Sequence, residues 1–199
     1  MLACLEGIEI VGPLGDGSRC TAWKARRGFE ALAVKHFKCH AVLKHASRHA
    51  VPLARFEFDR NCRLYSAPGL RANIARPVAM VDDGPRQILI QELIVGVPIT
   101  DFASGAGERE RRRIYAQLGR IVSAAHDASV YDLDLHSNNI LVARGSRGRH
   151  KVVLFDFNKI PYHERPPNVV VGYWVKRGWI GSKSRDLRLL RSIRRMLSV

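Results

Sequence analysis

Hydrophobic and polar positions change period several times along the chain, and each change marks an element. Short apolar runs at 8–11, 21–25 and 31–37 predict three strands, the first two flanking Leu14-Gly15-Asp16-Gly17-Ser18. The segment Arg55 to Tyr65 reads as a helix. Pro77–Val81 and Gln87–Ile90 then bracket Asp82-Asp83-Gly84-Pro85, a turn-forming cluster that predicts a hairpin. Ser104 to Gly107 breaks the chain before a long helical pattern from Glu108 to about His126, in which Ile114, Leu118, Ile121, Val122 and Ala125 recur at helical spacing. Two further strands, 140–143 and 151–155, are joined by a basic turn from Gly145 to His150, and Pro161 to Asn168 reads as irregular. Finally 182–197 is amphipathic: Leu187, Leu190, Ile193, Met196 and Leu197 share one face, with Arg185, Arg188, Arg191, Arg194 and Arg195 around the rest. No internal repeat or low-complexity linker interrupts the sequence.

The candidate chemistry lies in the order of a few polar residues. Asp134-Leu135-His136-Ser137-Asn138-Asn139 is an Asp-x4-Asn loop, and the following strand ends in Asp156-Phe157. This spacing serves phosphoryl transfer, in which one carboxylate orients or deprotonates the attacking hydroxyl while an amide and a second carboxylate hold magnesium. Upstream, Gly15 and Gly17 sit where a glycine-rich loop would cover ATP phosphates, with Ser18 beside them, and Ala33-Val34-Lys35 follows about twenty residues on. A Gly-x-Gly alone is a weak signal, because Gly and Asp also crowd ordinary hairpin turns.

This arrangement resembles the protein-kinase-like superfamily from about Gly12 to Asp156. Among compact members it is most like the small bacterial lipopolysaccharide core (Kdo/heptose) kinases. The stretches that carry the resemblance are Tyr131 to Leu141, Phe155 to Lys159, Trp179 and Arg185 to Ile193. A weaker similarity runs to YrbL-type PhoP regulatory network proteins. The resemblance implies an α+β, two-lobed fold, with an N-lobe over about 1–93 and a shortened, mainly helical C-lobe over about 94–199. It implies an ATP- and Mg2+-dependent phosphotransferase acting on a hydroxyl, such as one on a lipopolysaccharide core sugar. Lys35 would hold the α/β-phosphates, oriented by Glu57, the first acidic residue after His36, with Asp59 as the fallback. Asp134 would be the catalytic carboxylate, and Asn139 and Asp156 would bind the metal. Gln87 to Gly96 would run into the hinge, where the backbone from Glu92 to Ile94 would meet the adenine edge. His136 would either donate to the γ-phosphate or brace the loop, the second being favoured. Asp186 would stabilise the catalytic loop backbone from below.

Departures from the pattern are as informative. Cys20 stands near the place of a third loop glycine, Asp132-Leu133 replaces the His-Arg before the catalytic Asp, and Asn158 replaces the glycine after Asp156-Phe157. Asn158 can still adopt a left-handed backbone. Only 43 residues follow Asp156, and no Ala-Pro-Glu occurs among them, so helices that dock peptide substrates are not expected. A regulatory pseudokinase, a small serine/threonine protein kinase and a nucleic-acid-binding protein are the competing readings.

Composition adds a partner class. With 33 Lys and Arg against 18 Asp and Glu, the formal charge is +15, which calls for an anionic partner: an acidic glycolipid, a phosphorylated sugar, a membrane surface or, less favoured, nucleic acid. In the membrane reading the arginines of 182–197, with Trp174 or Trp179, would lie against anionic headgroups. The segment 1–7 has no basic n-region and too short an apolar run for a signal peptide, and no stretch is long enough to span a bilayer. A cytoplasmic protein, peripheral at most to the inner membrane, is expected. Cys4, Cys20, Cys39 and Cys62 show no paired spacing, so free thiols are expected. His36, His40, His45 and His49 could share a helical face, but without a carboxylate or second Cys a basic loop and helix is favoured over a metal site.

Overall fold

The structure, a computed structural model, describes residues 6–145 and 148–199; Cys4 and the centre of the basic turn, 146–147, lie outside them. Five strands build the first sheet: β1 (Glu9–Asp16), β2 (Cys20–Arg27), β3 (Glu30–Phe37), β4 (Pro77–Asp83) and β5 (Arg86–Glu92), in the order β1-β2-β3-β5-β4. Every pairing is antiparallel, and the strands run longer than the apolar runs that announced them. The predicted hairpin joins β4 to β5, with Gly84 at φ 56° in its turn, a left-handed conformation that glycine adopts without strain. Leu32, Val34, Ile88 and Ile90 bury one face of this sheet. The other face packs through Phe37 and Leu89 on α1 (Cys39–Ala46) and α2 (Leu53–Ser66).

The second core is larger and mainly helical. It gathers α3 (Ile99–Gly105), α4 (Glu108–Asp127) and α6 (Ser184–Leu197) around a three-stranded sheet of β6 (Val97–Pro98), β7 (Ile140–Arg144) and β8 (His150–Leu154). All five apolar positions singled out in α4 are buried. Between β5 and β6, Gly96 passes so close to β7 that a Cβ would lie 3.0 Å from the Val142 carbonyl oxygen, so a side chain there would push the backbones apart. The whole is a mixed α and β molecule with its large sheet in the N-terminal half, as a kinase-like fold requires.

One sequence expectation is corrected in the C-terminal part, and one element is added. Helix α5 (Val169–Lys176) follows the irregular segment, in a stretch for which the sequence pattern gave no element. Three consecutive valines disfavour helix, but the Asn168 side chain accepts from Val171 N–H at 2.9 Å and caps the first turn. On α6, Leu190, Ile193 and Leu197 are buried as expected, but Leu187 is exposed and Arg185 is buried. That arginine faces inward because two carboxylates wait for it there.

Candidate active site

Lys35 sits in the interior of the first sheet, opposite Ala22 on β2 and Leu89 on β5. Its ammonium lies 2.6 Å from Glu57 Oε1 and 2.9 Å from Asp156 Oδ1. Glu57 reaches it from α2 and is 0% exposed, whereas Asp59 is on the surface. Burial opposes charge on Lys35, but Asp156 and Glu57 together outweigh it and hold its pKa above the usual lysine value. Burial pushes the Glu57 carboxyl up, and Lys35 pulls against that shift. A lysine, a helix and the end of a distant strand are therefore joined in one buried cluster.

The loop carrying Asp134 is held from beneath. Asp186, fully buried on α6, accepts from the backbone N–H of Asp132 and of Leu133, both at 2.8 Å, and lies 3.0 Å from His126 Nε2. Asp132, Asp134 and Asp156 all have left-handed backbones, with φ of 55°, 53° and 70°, costly for residues other than glycine and found where function needs them. The left-handed residue is thus Asp156 rather than Asn158. Asn158 instead uses its side chain, donating to Asp156 Oδ1 and accepting from Arg19. The Asn139 amide donates to the Asp134 carbonyl at 3.0 Å, which leaves its own oxygen without a partner among the described residues.

Three nitrogen-bearing side chains surround the Asp134 carboxylate: Arg185 at 3.2 Å, His136 at 3.4 Å and Lys159 at 3.8 Å. Arg185 also approaches Asp132 at 3.6 Å and lies over the Tyr162 ring. Tyr162 N–H in turn donates to Asp132 at 2.7 Å. Burial raises the Asp132 pKa, opposed by that N–H and by Arg185, and burial lowers the Lys159 pKa against the pull of Asp134. The His136 side chain is 60% exposed and makes no hydrogen bond to loop backbone among the described residues; Asn139 ties the loop instead.

At the glycine turn, Gly17 N–H donates to the Cys20 carbonyl at 2.9 Å, and Asp16 is tethered to Lys38 and Thr21. Neither Gly15 nor Gly17 has a positive φ, and nothing crowds the Cβ position of Gly15, so their smallness opens space rather than permitting a strained turn. Ser18 is exposed beside them, its carbonyl 2.8 Å from His40 Nε2. Burial raises the Cys20 thiol pKa. At the end of β5 and just beyond it, Glu92 N–H is engaged by the Arg76 carbonyl and Leu93 N–H by the Ala31 carbonyl. Ile94 N–H is the remaining donor of the three, unengaged among the described residues.

The histidines do not form a ligand set. His36 is on β3, His40 is spent on Ser18, and His45 meets the Val51 carbonyl at 3.1 Å beside the rings of His49 and Phe56. No group of three or more His, Cys, Asp or Glu side chains converges as a metal site among the described residues. Cys20, Cys39 and Cys62 are free thiols. Sequence reasoning missed Arg185 and Lys159 as neighbours of Asp134, because the helical period assigns Arg185 to the polar face.

A buried lysine clamped by helix and strand-end carboxylates, with a separately braced Asp-x4-Asn loop, is the arrangement a kinase-like fold would require. Residues 19–167 match the lipopolysaccharide kinase (Kdo/WaaP) family, and the chain belongs to it. It is also similar, at 28% identity over 163 residues, to CBL-interacting protein kinase 1 of Oryza sativa subsp. japonica; the match covers 80% of this chain and 33% of that protein.

Proposed function

We propose that the protein transfers the γ-phosphoryl group of ATP, with Mg2+, to a hydroxyl of a lipopolysaccharide core sugar. The convergence of Lys35, Glu57 and Asp156 carries this reading, because it unites three groups far apart in sequence, and Phe155 N–H, beside Asp156, donates to the Asn139 carbonyl of the Asp134 loop at 3.3 Å. The division into lobes near residue 93 is part of the same proposal, with the nucleotide between the two cores.

In this reading Lys35 neutralises the α/β-phosphates, Glu57 keeps it extended, and the turn of Gly15, Gly17 and Ser18 covers the phosphate chain. The base edge pairs along Glu92 to Ile94, with Ile94 supplying the donor. The donor set of the Asn139 amide oxygen and the Asp156 carboxylate fits a hard divalent cation, which takes oxygen ligands. Magnesium, when bound, neutralises charge on the transferring group. Asp134 orients the acceptor hydroxyl and receives its proton as the bond from the acceptor oxygen to the γ-phosphorus forms and the bond to the ADP oxygen breaks. The work is mainly positioning and charge stabilisation. His136, exposed and 3.4 Å from Asp134, would donate to the γ-phosphate in this reading.

Peripheral membrane contact belongs to the same proposal. Helix α5 has no buried residue; Val169 is 88% exposed and Trp179, whose ring meets Tyr173, 68%, with Lys176, Arg177 and Lys183 close in sequence. Exposed apolar and aromatic groups interspersed with cations suit the headgroup boundary of an anionic bilayer. No helix of the described residues is long and apolar enough to cross a membrane. Vesicles containing anionic lipid should sediment the protein, and Trp174→Ser with Trp179→Ser should abolish this; equal sedimentation would remove α5 from the account.

Thermal shift tests the nucleotide assignment. ATP with Mg2+ should stabilise the protein more than ATP alone, and Asp156→Asn should erase the difference. Metal-independent stabilisation would favour a regulatory nucleotide binder instead.

A further inference from the structure

Lys44, Arg48 and Arg165 have no place in the chemistry above, yet they share a cavity of about 560 Å³ with Arg19 and Lys159. The cavity lies between α1, the turn before β2 and the segment 158–167, and no Asp or Glu lines it. Of these five cations only Lys159 approaches a carboxylate within 4 Å among the described residues, and that carboxylate is Asp134. Arg165 donates to the Arg48 carbonyl, so the two cationic residues are tied together rather than left to spread. Like charges gathered in a concavity repel one another and concentrate a potential that an anion relieves.

We propose that this cavity is a subsite for an anionic group, phosphate or carboxylate, borne by the lipid-linked acceptor. This rests on the kinase reading above and deepens it. The wall includes Ser18, Asn158 and Lys159 but neither Lys35 nor Asp156, so it meets the proposed nucleotide site along the Ser18 edge and extends away from it. Lys159 faces both the cavity and Asp134, and an acceptor whose anion sits here would bring a neighbouring hydroxyl toward that carboxylate. Arginine forks match phosphate and carboxylate oxygens, and each such charge-assisted bond adds geometric selection as well as affinity. The lipid link follows from the chain path: Pro166 and Pro167 line the cavity, and the exposed apolar helix α5 begins two residues later at Val169. An anion in the cavity and an acyl anchor beneath α5 would be held by one short stretch. A second basic cavity between α4 and β8, lined by Arg113, Arg120 and Arg149, has no such link to Asp134.

The test compares wild type with Lys44→Gln, Arg48→Gln and Arg165→Gln, all on exposed side chains. Inorganic phosphate should raise the wild-type melting temperature, and each variant should weaken that protection about tenfold in concentration, one lost charge-assisted bond. In transfer assays with purified lipopolysaccharide core, KM for the acceptor should rise by a similar factor while KM for ATP stays within about twofold. Acceptor stripped of its phosphates, and a soluble deacylated acceptor, separate the anion from its lipid carrier. Loss of affinity with the first alone assigns the subsite to a free anionic sugar and overturns the lipid link. Unchanged phosphate protection in all three variants, or a rise in KM for ATP instead of the acceptor, would overturn the subsite. If wild type transfers nothing to the core, the kinase assignment to that acceptor falls, and phosphate protection still decides the cavity.

Discussion

Removing Lys35 would take away more than its proposed phosphate contact, because its departure leaves Glu57 buried without its cation. Lys35→Met should destabilise the protein by about 3–5 kcal/mol, the cost of stranding a buried partner, in addition to abolishing turnover. Lys35→Met combined with Glu57→Leu should recover part of the stability and none of the activity. Urea denaturation of the single and double variants checks this, and an additive result would mean that the two side chains do not depend on each other. His45 gives a second prediction at this scale. Burial, then the nearby His49, lowers its pKa from 6.5 to about 4. The unfolded chain therefore binds a proton at mildly acid pH that the folded chain refuses. Its contribution is intact above about pH 6.5 and is lost as pH falls toward 4, up to roughly 3 kcal/mol. His45→Gln should flatten the pH dependence of the melting temperature across that window; an unchanged curve would place the acid sensitivity elsewhere.

At the level of elements, α6 is the support of the Asp134 loop. Asp186 holds two backbone N–H groups of that loop, and Arg185, one residue earlier, holds the Asp134 carboxylate. Asp186→Asn, which keeps the shape but not the double acceptor, should cost about 1–3 kcal/mol and lower turnover through misplacement of Asp134. Arg185→Gln should change turnover more than stability; the reverse order would make it a packing residue. The role of Asp186 was legible in the sequence because Trp179 and the Arg-Asp-Leu pattern travel with the family resemblance. Arg185 was not, because helical periodicity ranks residues by polarity and cannot see that Asp132 and Asp134 create a polar interior opposite one turn. Helix α5 was missed for a related reason: its valines favour strand, and the Asn168 cap that tips the balance is a single local bond.

Across the whole molecule, motif spacing points to Lys35, the Asp134 loop and Asp156, and Glu57 follows as the first acidic residue after His36; the fold brings Lys35, Glu57 and Asp156 into contact. What motif spacing could not supply was charge placement. A net charge of +15 says that an anion is wanted, but only the fold gathers Arg19, Lys44, Arg48, Lys159 and Arg165 around one cavity beside Asp134. The central claim is that Asp134 directs phosphoryl transfer to a sugar hydroxyl of the lipopolysaccharide core. Its most direct test is single-turnover transfer of labelled γ-phosphate from ATP to purified core, comparing wild type with Asp134→Ala at equal folded concentration. Label on the core with wild type and a rate about 10²–10⁴-fold lower with the variant is the expected result. Near-equal rates, or label appearing on a control protein and not on the core, would contradict the account.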